Sequence, residues 1–139
     1  MHRIDRRLFV RQDAMTTAGV VEIGGRSYYV DVTAWSDEER AWRNGGRVIE
    51  ALTTRLSEIG VVIDQTLARE LTHWENAPTE NSEVVQAVLR SIQATSEPMI
   101  SISDRTSCAY FDGPSFVEGH SIELQFDEEG NAVSAGLAG

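Results

Sequence analysis

Several residue types and patterns are scarce in this chain of 139 residues, and each scarcity excludes a class of protein. The one cysteine, Cys108, rules out an intrachain disulfide and a cysteine-based zinc site, which fits a reducing compartment. The longest apolar runs, such as Val61–Ile63, are far shorter than the roughly 20 residues that a membrane span needs. The first residues are basic but lead into no apolar segment of the kind found in export signals. We therefore expect a cytoplasmic protein with no membrane contact.

Positive charge is also scarce. Lysine is absent, and arginine supplies all 12 basic residues against 22 acidic ones, which leaves a formal net charge of −10. Binding to nucleic acid needs a positive field around the phosphates, so we expect no nucleic-acid partner. Residues 1–60 hold nine arginines and nine acids, whereas residues 61–139 hold three arginines and thirteen acids. A folded surface with this bias attracts a basic partner; alternatively, the acids only keep the protein soluble.

Both ends of the chain have the pattern of β-strands. Residues 7–33 predict a β-meander, because two runs of β-branched and aromatic residues flank Gly24–Gly25, as in a tight hairpin. Residues 98–138 alternate apolar and polar side chains and predict three or four antiparallel strands. The segment Asp127–Asn131 is interpreted as a hairpin turn between two of them.

The middle of the chain, residues 36–95, has helical periodicity. Ser36 and Glu39 have the spacing of a capping box, which predicts that a helix begins there. Further boundaries are predicted at Asn44–Gly46, which ends or weakens the first helix, at Gly60, at Asp64 as the N-cap of a third helix, and at Thr79 for a fourth helix ending at Thr95.

The order of strands, helices and strands predicts an α+β fold. We expect an antiparallel sheet built from the N-terminal meander and the C-terminal strands, with a central segment of three to four helices packed on one face. The mass of 15.4 kDa allows one ordinary hydrophobic core, and no linker or repeat divides the chain. We therefore expect a single domain over residues 1–139.

Three groups of residues are candidates for chemistry, and none is complete in the sequence. Glu70 and His73 have the spacing of half a di-iron site, but no second motif of this kind is present. The acids of residues 127–131 suit calcium, but the glycine and glutamate spacings of an EF-hand loop are not met. Cys108 and His120, with Asp112 as orienting acid, form a nucleophile and base only if the fold brings them together. We expect no metal, no cofactor and no enzymatic activity.

The most distinctive stretch runs from Asp112 to Asn131, with a final glycine at Gly139. An acidic turn, a Gly-His pair entering a strand and an acidic hairpin follow one another in it. In this order it resembles the signature, F-W-G-H-x-I followed by D-x-x-G, of small bacterial families described as domains of unknown function, and the meander and helical middle are similar in order and length. Val117–Glu118 stand where those families have an aromatic pair. The resemblance implies an immunity protein of a bacterial polymorphic-toxin system.

Gly119 and His120 also support predictions that do not depend on the resemblance. A glycine at the entrance of a strand predicts a bulge or a close backbone approach, and His120 is expected to hydrogen-bond within the domain.

We therefore expect a non-enzymatic protein-binding protein, an immunity protein that neutralises a basic bacterial toxin domain through an acidic face. The acids expected to contact this partner are Asp112, Glu118, Glu123, Asp127, Glu128 and Glu129.

Two other functions are compatible with the sequence. One is a small-molecule-sensing or regulatory module with a pocket between sheet and helices, bounded by Trp35, Trp42, Trp74 or Tyr110. The other is a hydrolase that uses Cys108 and His120.

Overall fold

Strands from both ends of the chain form one seven-stranded sheet in the computed structural model, which describes residues 4–139. The strands are β1 (Phe9–Arg11), β2 (Thr16–Ile23), β3 (Arg26–Thr33), β4 (Met99–Ser103), β5 (Ser107–Asp112), β6 (Ser121–Phe126) and β7 (Ala132–Ala138). Their order across the sheet is their order in the sequence. The α+β fold and the sheet assembled from both chain ends are confirmed.

The two halves of the sheet meet at a parallel pair of strands. Tyr29 lies opposite Met99, and the pairing continues in parallel to Thr33 opposite Ser103. The sequence predicted antiparallel pairing throughout, and this one junction differs. The helical segment between β3 and β4 returns the chain to the end of the sheet where β3 begins, so β4 runs in the same direction as β3.

The central segment contains helices α1 (Glu38–Thr54), α2 (Leu56–Ile63), α3 (Arg69–Leu71) and α4 (Asn81–Ala94). A π-helical turn, Asp64–Ala68, joins α2 to α3. The predicted N-cap at Asp64 is wrong, because this residue has the backbone angles of a continuing helix, φ −58° and ψ −44°. The predicted boundary at Gly60 is also wrong. Gly60 lies inside α2, where a Cβ would lie 3.3 Å from Leu89 Cδ1, so the glycine allows α2 and α4 to approach closely.

The sequence predicts that Asn44–Gly46 end or weaken the first helix. They do not end it, but lie buried in the middle of α1. A Cβ on Gly45 would lie 3.5 Å from Ile102 Cγ2 of β4 and closer still to Ile4. Asn44 Nδ2 donates a hydrogen bond to the Ser103 carbonyl oxygen at 3.1 Å. These residues are therefore suited to close packing of α1 against the sheet, and this packing outweighs their poor helix propensity.

The first helix begins one residue later than the capping box predicted. Asp37 is the N-cap, and its carboxylate accepts a hydrogen bond from the Arg40 N–H at 3.0 Å. The Ser36 hydroxyl instead donates to Asp104 Oδ2 at 3.0 Å, so Ser36 takes no part in capping the helix.

Alternate residues of each strand point to opposite sides of the sheet, and only one side is packed against the helices. Tyr28, Val30 and Val32 of β3 are buried among side chains that also include Ile49 of α1 and Ile100 of β4. Helix α1 contacts β3, β4 and β5, while α2 contacts β7 and α4 contacts β5. The hydrophobic core therefore lies between the helices and one face of the sheet.

Candidate functional site

The other side of the sheet is not packed against the helices, and we call it the open face. It is formed by the outward-pointing residues of β2 to β6. Tyr29 is 50% exposed, Met99 is 47% exposed and Val20 is 46% exposed. Exposed apolar side chains that lie together on a folded protein mark sites of interaction more often than isolated ones do.

The strand register places these residues side by side. Val20 lies opposite Tyr29, Tyr29 opposite Met99, and Met99 opposite Tyr110. We call these four residues the apolar row. Neighbouring strands are about 4.8 Å apart, so the row crosses β2 to β5 over about 14 Å. Glu123 of β6 lies opposite Tyr110 and continues the row with a carboxylate.

A more polar row runs beside the apolar row. Asp31 lies opposite Ser101, and Ser101 lies opposite Cys108. The Ser101 hydroxyl donates to Asp31 Oδ2 at 3.0 Å. Burial raises the pKa of Asp31, and the hydrogen bond from Ser101 offsets this only in part. The half-buried Asp31 carboxylate therefore lies within the open face with no described arginine beside it.

Cys108 and Tyr110 share the open face with Glu123, and all three interact. Burial raises the pKa of the Cys108 thiol, and the negative charge of Glu123 raises it further. Burial, followed by the charges of Cys108 and Glu123, also raises the pKa of Tyr110. A thiol of this kind is a weak nucleophile at neutral pH, because the reactive thiolate is disfavoured.

His120 lies far from Cys108. Cys108 is paired with Gln125, whereas His120 immediately precedes the start of β6. An extended strand advances about 3.3 Å per residue, so the two positions are roughly 15 Å apart. The His120 ring instead packs edge-on against Trp74, with ring centroids 5.2 Å apart. This arrangement gives Cys108 no general base of the kind that the hydrolase hypothesis requires.

The chain entering β6 turns at Gly119, which has a positive φ of 84°. The His120 backbone N–H donates to the Val117 carbonyl oxygen at 3.0 Å and closes this turn. The sequence predicted a bulge or a close backbone approach at Gly119. The register shift of the β6–β7 pair instead lies at Gln125 and Phe126, and a Cβ on Gly119 would have no described atom within 4 Å. Left-handed backbone geometry, rather than a bulge, explains the glycine.

The acids expected to contact a partner fall into two groups. Asp112 and Glu118 line a shallow depression of about 520 Å³ that His120 also lines. Glu123 of β6 points from the open face, as does Asp112 of β5, which lies opposite Ser121 and therefore diagonally across from Glu123. The turn that holds Asp127, Glu128 and Glu129 follows the far end of β6. The structure therefore does not bring these acids into one patch.

Two acids of the β6–β7 turn already have partners. The Asp127 carboxylate accepts hydrogen bonds from the backbone N–H groups of Glu129 and Asn131, both at 2.9 Å. Burial tends to raise the pKa of Asp127, but these hydrogen bonds outweigh it and lower the pKa. Glu128 forms an ion pair with Arg40 of α1 at 2.9 Å. Hydrogen bonds within the turn and the ion pair to α1 therefore hold it as a hairpin turn.

Within residues 4–139, no three His, Cys, Asp or Glu side chains are grouped so as to hold a metal ion.

The tryptophans of the proposed small-molecule pocket pack against other side chains. Trp42 contacts the Phe9 ring edge-on at 5.0 Å, and Arg105 lies over Trp35 at 5.2 Å. None of the three tryptophans lines the depression beside His120.

Sequence reasoning did not single out Val20, Tyr29 or Met99 of the apolar row, and it named Tyr110 only as a boundary of the small-molecule pocket. A signal for them was present at Tyr28 and Tyr29. Adjacent residues of a strand point to opposite sides of a sheet, so one of the two rings has to lie away from the core. The same argument applies to Met99 beside the buried Ile100.

These features define a class of protein: an α+β sheet covered by helices on one side, with an apolar and acidic surface on the other. No protein-family model, no curated protein and no solved structure matches this chain. The resemblance to immunity-protein families therefore stays a prediction. In the described residues, no helix combines the length and the apolar character needed to cross a membrane.

Proposed function

We propose that this protein is a non-enzymatic binding protein whose partner is a basic protein. The observation that carries the proposal is the segregation of charge between the two sides of the sheet. Glu22, Asp31, Asp112 and Glu123 belong to strands and point from the open face. The two arginines that the described strands contain, Arg11 and Arg26, point to the side of the helices.

Contacts of these two arginines account for their direction. Arg11 lies 3.4 Å from Glu38 of α1. Arg26 lies over the rings of Tyr28 and Phe111 and donates to the Ile92 carbonyl oxygen at the end of α4. The open face therefore has a negative field that its own strand residues do not neutralise, and such a field speeds association with a positively charged protein.

The resemblance to immunity proteins supports a specific role for this binding. We propose that the protein acts in the cytoplasm and neutralises a basic toxin domain by covering it. Asp112, Glu118 and Glu123 are then contact acids together with Glu129. Asp127 and Glu128 contribute less, because the fold already uses their carboxylates.

Co-expression with the toxin encoded beside the gene tests this function. The toxin alone is expected to stop growth, and co-expression with the intact protein is expected to restore it. Equal killing with and without the protein would contradict the proposal.

Variants that replace acids by uncharged amides then test whether the acids contribute to association with the partner. In one variant the contact acids are replaced, Asp112→Asn, Glu118→Gln and Glu123→Gln. In the matched control the same number of acids is removed from the helical segment, Glu70→Gln, Glu75→Gln and Glu80→Gln. At low salt we expect the first variant to associate about tenfold more slowly and with a weaker salt dependence, and the control to behave as the unmodified protein does.

A further inference from the structure

Charged residues at an interface mainly set the rate of association, whereas a small number of buried apolar and aromatic residues at its centre usually supply most of the affinity. A basic partner held only by the acids of the open face would dissociate quickly. The open face contains a suitable centre in the apolar row. We infer that the apolar row, Val20, Tyr29, Met99 and Tyr110, is the centre of the docking surface for the basic protein partner, an inference that rests on the proposed function.

The exposure of these side chains supports this role. Val20, Tyr29 and Met99 keep about half of their surface in contact with water, although the fold buries many other large apolar side chains completely. Val10 of β1, which is 66% exposed and lies opposite Ala18, adds to this surface on the same side of the sheet. Covering exposed apolar surface is favourable by roughly 25 cal/mol per Å², so the row offers binding energy that the isolated protein does not use.

The charges around the row select the chemistry of the partner. Glu123 lies beside Tyr110 at one end of the row, and Asp31 lies next to its middle. Glu22 points from the same face near Tyr29, where it accepts a hydrogen bond from the Ser27 hydroxyl at 3.4 Å. A partner that covers the row therefore needs an apolar or aromatic centre surrounded by arginine or lysine.

A depression at one end of the row fits one such basic side chain. It has a volume of about 120 Å³ and is lined by Val20, Ser27, Tyr29 and Glu97. The aliphatic part of an arginine side chain fits against Val20, its planar guanidinium stacks on the Tyr29 ring, and its N–H groups reach the Glu97 carboxylate. Arginine suits this depression better than lysine, because only the guanidinium is planar.

A second copy of this chain is a poor occupant of the same surface. A symmetric dimer through the open face would bring two sets of the same acids together, and like charges across an interface are unfavourable. The complementary partner is a different, basic protein.

Nuclear magnetic resonance titration of the full chain tests this surface without the toxin. The probe is the blocked peptide Ac-Arg-Phe-Arg-Phe-Arg-NH₂, and its control is Ac-Glu-Phe-Glu-Phe-Glu-NH₂, which has the same aromatic content and the opposite charge. The basic peptide is expected to shift backbone amide signals of β2 to β5, and the acidic peptide is expected to leave them unchanged. Equal shifts with both peptides, or shifts confined to the helices or to residues 112–121, would overturn the inference.

Variants of the row separate its role from that of the acids. Tyr29→Ser and Met99→Thr are each expected to raise the Kd of the basic peptide at least fivefold and to raise the dissociation rate of the toxin domain. Val61→Thr is the matched control, because Val61 is an apolar residue of α2 that is 55% exposed outside the open face. Thermal melts first establish that each variant is folded.

The outcomes distinguish this inference from the proposed function. If the unmodified protein rescues growth and Tyr29→Ser and Met99→Thr bind as tightly as it does, the inference is wrong and the function stands. If the basic peptide binds the apolar row but the toxin kills regardless, the docking surface stands and the immunity function is wrong. A dimer of the free chain that is broken by Tyr29→Ser in sedimentation would show that the row binds a second copy, which also overturns the inference.

Discussion

Asp104 is the single residue that ties the sheet most closely to the start of α1. It lies in the turn between β4 and β5 and is buried. Its carboxylate accepts hydrogen bonds from the backbone N–H groups of Trp35 at 3.0 Å, Ser36 at 2.8 Å and Asp37 at 2.7 Å. Burial alone would raise the pKa of this carboxyl, but these bonds and the Ser36 hydroxyl outweigh it and hold the pKa well below its usual range.

Replacement of this residue, Asp104→Asn, is expected to lower the free energy of unfolding at pH 7 by about 2–4 kcal/mol, because an amide cannot accept all of these bonds and places its own N–H group near a donor. A carboxyl whose pKa is lower in the folded than in the unfolded chain stabilises the fold at neutral pH. This contribution is lost as the pH falls below about 4. Urea unfolding between pH 7 and pH 3 should therefore show a smaller loss of stability in the variant than in the unmodified protein.

Asp64→Asn serves as the control for this prediction. Asp64 is exposed in the π-helical turn, so its replacement is expected to change the stability at pH 7 by less than about 0.5 kcal/mol. An Asp104→Asn variant as stable as this control would contradict the role given to Asp104.

At the scale of elements, β7 is an edge strand whose backbone is partly covered. The Thr66 hydroxyl oxygen accepts a hydrogen bond from the Ala135 N–H at 2.9 Å. The same hydroxyl donates to the Val62 carbonyl oxygen at 2.7 Å. Thr66 belongs to the π-helical turn, so this departure from α-helical geometry places a side chain on the edge of the sheet. Covering an edge in this way protects a protein against pairing with another strand.

The variant Thr66→Val keeps the shape of the side chain and removes this hydrogen bond. We expect the free energy of unfolding to fall by about 1 kcal/mol and the Ala135 amide to exchange its hydrogen at least tenfold faster, as followed by nuclear magnetic resonance. Thr72→Val is the matched control, because the Thr72 hydroxyl donates only within its own helical turn, to the Arg69 carbonyl oxygen at 2.7 Å. If both variants leave the Ala135 amide equally protected, Thr66 does not cover the edge.

At the scale of the whole molecule, the parallel pairing of β3 with β4 joins the two ends of the chain in one sheet over one core. Val30 and Val32 of the N-terminal part lie opposite Ile100 and Ile102 of the C-terminal part, and all four are buried. Neither set of strands buries its apolar side without the helices between them in sequence. Because both sets of strands depend on the same helices, we expect a single domain over residues 1–139.

We expect this molecule to unfold in one cooperative transition. Tryptophan fluorescence reports mainly on the helical side through Trp42 and Trp74, whereas the circular dichroism of the backbone reports on helices and strands together. The two signals should give the same midpoint in urea. Midpoints that differ by more than the error of measurement would show that the chain contains separable units.

Local patterns account for the part of the fold that could be predicted. Alternation of apolar and polar residues predicted the strands at both ends, and a period near four predicted the helices between them. The helix boundaries failed where distant contacts decide them. Gly45 is accommodated inside α1 because the sheet packs close to it. Ser36 does not cap the helix, because its hydroxyl donates to Asp104.

The candidate site was harder to predict, because it depends on which residues become neighbours. The acids are visible in the sequence, but their partners are not: Arg40, which neutralises Glu128, is 88 positions away along the chain. The apolar row has one residue from each of four strands, and no two of them are adjacent in the sequence.

By itself, the sequence determined the element types, the α+β class and the excess of negative charge in the second half of the chain, because each depends on composition or on residues a few positions apart. The tertiary structure alone decided the parallel junction of β3 and β4, the separation of the Asp127–Glu129 turn from the other expected contact acids, and the alignment of Val20, Tyr29, Met99 and Tyr110 on the open face. These features depend on strand register and on the side of the sheet that the helices cover. Both are set by packing between residues far apart in the chain, and this packing is not encoded in local periodicity.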